Sequence, residues 1–157
     1  MPVNERVFDL SNEETNNGSI KILMLEDDVE FADLLRTFFE SHSFQVTCVT
    51  NGVAGLRQTM ATDFDVILCD MVMPNLPGDM FYLAVQRTRP HLSRRFIFMT
   101  GYKAVPKVDE FIRRVEGLVL WKPFQMQELL DVIQTILHQN RERDAKAKST
   151  PAANRLS

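Results

Sequence analysis

Four short stretches of the chain hold residues whose types could do chemistry together: the acids Glu26-Asp27-Asp28, the single Asp70, the pair Thr100-Gly101, and Lys122-Pro123. Carboxylates brought close to one another repel and resist ionising together. A divalent cation removes that conflict, and hard oxygen ligands that leave room for water suit Mg²⁺. A metal held in this way can bridge to an incoming phosphate and neutralise its charge during transfer. Lys122 would add a point charge and Thr100 a hydroxyl donor, both suited to phosphoryl oxygens. The carboxylate of Asp70 is the available nucleophile for making an acyl phosphate.

Whether these residues meet depends on the elements between them. Residues 20–25 are a short apolar run fit for a strand buried on both faces. Phe31, Leu34, Leu35, Phe38 and Phe39 then recur at helical spacing, with Glu30, Asp33, Arg36 and Glu40 opposite. Residues 45–49 predict a second strand, and Val53, Leu56 and Met60 mark a short second helix. The third strand is predicted at 65–69, followed by a loop that Pro74, Pro77 and Gly78 keep from continuing as strand or helix. A third helix is expected over 79–88 with Met80, Leu83 and Ala84 facing inward, and a fourth strand at 95–99. Val108, Phe111, Ile112 and Val115 mark a fourth helix, and residues 118–121 a fifth strand. The last helix carries Met126, Leu129, Leu130, Ile133, Ile136 and Leu137 on one face.

Five β–α units with short links imply an α/β fold, a doubly wound three-layer sandwich with helices on both faces of a parallel sheet. In the flavodoxin-like strand order 2-1-3-4-5, strands one and three are neighbours, and sites form beyond the carboxyl ends of the strands. All four stretches fall at such ends. Each also has a plainer reading. The three acids suit the N-terminus of the first helix, Asp70 suits a turn, Thr100-Gly101 an ordinary strand exit, and Lys122 a solvated end. Their joint occurrence at four strand ends is what favours chemistry.

The whole chain sets the frame. Its 157 residues have room for one ordinary domain, placed at 19–139, between tails at 1–18 and 140–157 that read as disordered, the second of them basic. A folded part of roughly 120 residues would bury about two-thirds of its unfolded surface. Net charge −3 gives no reason to expect nucleic-acid binding. No apolar stretch approaches the roughly 18 residues that span a bilayer, and the start lacks a secretory pattern, so a cytoplasmic protein without membrane insertion is expected. Cys48 and Cys69 read as buried free thiols in a reducing compartment. His42, His91 and His138 are scattered, and none reads as a ligand or as a phosphorylated residue.

Ile22-Leu23-Met24-Leu25-Glu26-Asp27-Asp28 resembles the opening of response-regulator receiver domains of two-component phosphorelay systems, here of the single-domain, stand-alone type. Asp70-Met71-Val72-Met73-Pro74, with Leu76 and Gly78, looks like their phosphoacceptor loop, and Met99-Thr100-Gly101-Tyr102 and Trp121-Lys122-Pro123-Phe124 are similar to their other two signatures. The resemblance covers about residues 20–138. It implies that Asp70 receives a phosphoryl group from a phosphohistidine of a histidine kinase or histidine phosphotransfer protein. Asp27, Asp70 and the backbone carbonyl of Val72 would bind Mg²⁺ directly, and Glu26 through a water. Thr100 would move toward the phosphoryl oxygens and Lys122 would pair with them. The bond before Pro123 is expected to be cis. Such a protein is no enzyme beyond catalysing its own phosphorylation and dephosphorylation.

The chain departs from the family pattern in three places. Val119 stands where the switch commonly has Tyr or Phe. Val72 and Tyr102 occupy the positions two beyond the phosphoacceptor and the threonine, and Val72 offers no polar side chain to orient a hydrolytic water, so slow self-dephosphorylation is expected. The stretch after the last helix is short for a DNA-binding domain, so output is expected through contacts with an unidentified downstream protein or a further phosphorelay protein rather than with DNA. The face made by helix four, strand five and helix five is the usual place for these contacts. Trp121 lies near it, though ordinary packing is its simpler role.

Other classes fit less well. A haloacid-dehalogenase-like phosphatase places its nucleophile after strand one in an Asp-x-Asp pattern, which Glu26-Asp27-Asp28-Val29-Glu30 lacks. A flavin binder needs a glycine- and hydroxyl-rich phosphate loop there, where three acids would repel the phosphate. A pseudo-receiver, acting as a non-phosphorylated interaction module, is the remaining alternative. Val119 favours it, and the intact Asp27, Asp70, Thr100 and Lys122 oppose it.

Overall fold

A computed structural model describes residues 18–101, 106–115 and 117–149. The elements run β1 (Lys21–Leu25), α1 (Val29–Ser41), β2 (Gln45–Val49), α2 (Gly52–Ala61), β3 (Val66–Asp70), α3 (Gly78–Thr88), a 3₁₀ segment (Pro90–Arg95), β4 (Phe96–Thr100), α4 (Pro106–Arg114), β5 (Leu118–Trp121) and α5 (Met126–Ser149). All pairings are parallel, and the sheet order is β2-β1-β3-β4-β5, the order expected of the flavodoxin-like fold. Strands β3 and β4 each sit one residue later than expected, so Asp70 and Thr100 are the last residues of strands rather than the first of loops.

The period of two along the strands divides the core. Ile22, Met24, Val66, Leu68, Ile97 and Met99 point to the layer of α1 and α5, where Leu35, Phe39, Leu129 and Ile133 meet them. Leu23, Leu25, Ile67, Cys69, Phe96 and Phe98 point the other way, against Phe81, Tyr82 and Val85 of α3. Burial on both faces explains the continuous apolar runs of β1, β3 and β4.

Three expectations are corrected. Met80 and Leu83 do not face inward; they are exposed, and α3 buries Gly78, Phe81, Tyr82 and Val85 instead. In α2, Val53 and Met60 are likewise exposed while Gly52, Gly55 and Thr59 are buried. The cause is close approach: a Cβ on Gly55 would lie 2.6 Å from Leu25 Cδ2 and 3.1 Å from Phe81 Cε2, so the inward position needs the smallest residue. Finally, residues 140–149 are not a disordered tail but the last turns of α5, in a stretch rich in helix formers with neither Gly nor Pro before Pro151. The remaining tail residues, except Gly18, and Tyr102 lie outside the described residues. Both cysteines are free; Cys69 is buried and Cys48 only half-buried. No described helix is long and apolar enough to cross a membrane.

Candidate functional site

The carboxyl ends of β1, β3 and β5 converge. Because Leu25 pairs with Cys69 and Asp70 with Met99, the end of β3 is flanked by the residues that follow β1 on one side and by the end of β4 on the other. Carboxylate oxygens of Glu26, Asp27 and Asp70 all lie within 4.8 Å of one another. Lys122 Nζ reaches between two of them, donating to Asp70 Oδ2 at 2.8 Å and to Glu26 Oε2 at 3.1 Å. Glu26 and Asp70 are buried, whereas Asp27 is exposed on the open side.

The third acid does something else. Asp28 is the N-cap of α1, its carboxylate accepting from the Phe31 backbone N–H at 3.1 Å. The capping reading of the acidic stretch therefore holds for Asp28, while Glu26 and Asp27 turn to the strand ends. Glu26 is fixed as well, its Oε1 accepting from the Asp28 N–H at 3.1 Å.

The loop after β3 is tied to the same carboxylate. Val72 N–H donates to Asp70 Oδ1 at 2.9 Å, and Met71 N–H to the Met99 carbonyl at 3.0 Å. Gly78 closes the loop where a Cβ would sit 2.7 Å from the Asp70 carbonyl oxygen. Asn75 takes a left-handed backbone at φ 70°, a conformation asparagine tolerates better than most residues. Thr100 is buried at the end of β4, opposite Trp121 in register, and its carbonyl accepts from Lys122 N–H at 2.8 Å. The Lys122–Pro123 bond is cis.

The electrostatics of the cluster are unbalanced toward negative charge. Burial, then the nearby Asp70 charge, push the Glu26 carboxyl up to about 7, despite the hydrogen bonds from Lys122 and Asp28 that work the other way. Burial disfavours the charged form of Lys122, but its bonds to Asp70 and Glu26 outweigh that and hold its pKa above the ordinary value. A buried carboxyl that resists ionisation beside two others, all with hard oxygen atoms, is a donor set that a small divalent cation fits.

The structure thus brings Glu26, Asp27, Asp70 and Lys122 into contact range and sets Thr100 on the neighbouring strand end. Phe31 was not foreseen as part of the site. Lys122 Nζ stands 5.0 Å from the centroid of its ring. Only its place in the first turn after the acids hinted at this.

The sequence model for the response regulator receiver domain matches residues 22–134. Among curated relatives, the response regulator receiver protein CpdR of Brucella abortus is 29% identical over 117 residues, which cover 74% of this chain and 96% of CpdR. The transcriptional regulatory protein ZraR of Salmonella typhimurium is 26% identical over 136 residues, 87% of this chain but 30% of ZraR. Of solved structures, the receiver domain of sensor histidine kinase PA1611 from Pseudomonas aeruginosa, with a magnesium ion coordinated in its active-site cleft, matches with a TM-score of 0.71 at 21% identity. That match covers 77% of this chain and 99% of the PA1611 domain. The chemotaxis protein CheY4 of Vibrio cholerae matches with a TM-score of 0.68 at 24% identity, covering 76% of this chain and 100% of CheY4. These structural likenesses carry the fold, and the sequence match carries the family: the chain belongs to the response-regulator receiver domains.

Proposed function

We propose that this protein is a phosphorelay response regulator whose Asp70 accepts a phosphoryl group from a phosphohistidine of a histidine kinase or histidine phosphotransfer protein. The observation that carries the proposal is the sharing of one ammonium, Lys122, by carboxylates from two neighbouring strand ends, with Asp27 left facing outward. In the transfer, an Asp70 carboxylate oxygen forms a bond to phosphorus as the phosphorus–nitrogen bond of the donor breaks. The donor imidazole leaves with the electron pair and takes up a proton.

Asp27, Asp70 and the carbonyl of Val72 would hold Mg²⁺, with Glu26 acting through a water; PA1611, whose cleft coordinates magnesium, supports that choice of ion. Bound there, Mg²⁺ supplies charge neutralisation for the phosphoryl oxygens. The chain's own groups do the rest. Lys122 already lies against Asp70 and pairs with the added charge, and the hydroxyl of Thr100 approaches from β4. The Val72 N–H bond keeps Asp70 Oδ1 engaged, so Oδ2 is the oxygen on the Lys122 side. Signalling then passes through protein–protein contacts.

The test is intact mass after incubation with acetyl phosphate, with and without Mg²⁺, beside Asp70→Asn. A Mg²⁺-dependent gain of one phosphoryl group, absent in Asp70→Asn, is expected. An unmodified wild type that also fails to bind Mg²⁺ would instead make the chain a pseudo-receiver.

A further inference from the structure

We propose that Phe31 is a positioning residue for Lys122, its ring face carrying the ammonium so that the lysine stays aimed at Asp70 and Glu26. The inference rests on the receiver reading above and adds to it a group that touches neither phosphate nor metal. An ammonium has three N–H donors. Two of them are used by Asp70 Oδ2 and Glu26 Oε2. The ring, with its centroid 5.0 Å from Nζ, occupies a further side at a distance where the negative face of an aromatic ring attracts a cation. The Lys122 side chain is only 28% exposed, so the attraction acts in a partly dry setting, where it is stronger than at an open surface.

The ring is itself held from two directions. The backbone of Phe31 is pinned by the Asp28 cap at 3.1 Å, which fixes the first turn of α1. Phe124 packs against the ring edge-on, with centroids 5.9 Å apart and planes at 62°. Phe124 follows Lys122 by two residues, so the start of α1 and the segment after β5 grip the lysine between them. Phe31 also packs partly into the α1–α5 layer, and a leucine there would fill much of the same space. Leucine would lack the π face, which separates the positioning role from simple packing.

The experiment measures the rate of phosphoryl-adduct formation by the full chain with acetyl phosphate at saturating Mg²⁺. Phe31→Leu should slow it by roughly threefold to tenfold, and Phe31→Tyr should keep the wild-type rate. In a Lys122→Ala background, Phe31→Leu should have no further effect, because the ring acts through the lysine. Equal slowing in both backgrounds, or an unslowed Phe31→Leu, would overturn the proposal. A second readout needs no phosphoryl chemistry: the Lys122 ε-methylene protons should be shifted upfield by the ring in wild type and Phe31→Tyr, but not in Phe31→Leu. Unshifted protons in the wild type would overturn it too. If the wild type takes no phosphoryl group, the Asp70 proposal fails on its own while this shift still judges Phe31.

Discussion

The two ends of the sheet are built from the same kinds of residue in opposite proportions. At the carboxyl end, Glu26, Asp27 and Asp70 lie close together, and Lys122 bridges Glu26 and Asp70. At the amino end, Asp63 is met by His91 at 2.6 Å, Arg89 at 3.4 Å and Arg95 at 3.5 Å. Those arginines also donate to the carbonyls of Thr59 and Phe64. The titration behaviour follows the ratio. Burial works to raise the Asp63 carboxyl, but the bond to His91 and the charges of Arg95, His91 and Arg89 outweigh it and hold the group below its ordinary value. Glu26 is driven the other way, up to about 7. The amino-end cluster has more positive partners than carboxylates and ties the link between α2 and β3 to the 3₁₀ segment. Among the described residues the carboxyl-end cluster has fewer positive groups than carboxylates, which makes it the end that could hold a cation.

Single amide substitutions at the two ends should break this comparison most widely. Asp27→Asn should weaken Mg²⁺ binding by more than about tenfold in calorimetry. Asp63→Asn should leave Mg²⁺ binding within about twofold and cost about 1 kcal/mol of stability or less, since its pairs are partly exposed. Equal loss of Mg²⁺ affinity in both variants would show that the two ends do not differ as described.

The pH dependence sharpens the contrast. A carboxyl whose folded pKa is raised stabilises the fold while protonated, and that contribution is lost as pH climbs from its unfolded value of 4.5 to about 7. Without Mg²⁺, the melting temperature of Glu26→Gln should therefore gain several degrees on wild type across that window, and Mg²⁺ should narrow the gap. Parallel melting curves for the two proteins would remove Glu26 as the strained group. The smallest expected effect concerns the loop. Val72 is half exposed and apolar beside Asp70, so Val72→Asn should shorten the lifetime of the acyl phosphate several-fold by giving water a polar anchor. A longer lifetime in that variant would contradict the slow turnover expected of Val72.

Much of this was legible in the sequence because buried parallel strands write themselves as apolar runs and their ends as sudden charge. Residues 22–25 followed by Glu26, or 66–69 followed by Asp70, leave little room for another reading. The flavodoxin-like strand order then put the acids close together, and the cis bond before Pro123 came from the resemblance to receiver domains. The phases of α2 and α3 were misread because apolar side chains were counted as inward, whereas contact with Leu25 and Phe81 selects Gly55. The residues Met60, Met80 and Leu83 that carried the expected pattern are the exposed ones. The division of labour within Glu26-Asp27-Asp28 was open for a related reason: capping and metal binding ask for the same side chain, and only the backbone geometry assigns Asp28 to the helix. Contacts such as Lys122 on Phe31 join residues far apart in sequence, and no local pattern announces them.

β5 is the last strand of the described chain and lies at the edge of the sheet, beside β4 alone. It is also the strand that delivers Lys122. The acids are brought together by the pairing of β1 with β3, whereas their counter-charge is held by the pairing of this edge with β4. The edge pairing of the sheet and the placing of that ammonium therefore depend on the same element. Under the phosphoacceptor role proposed for Asp70, displacement of this edge strand alone would strip the site of Lys122.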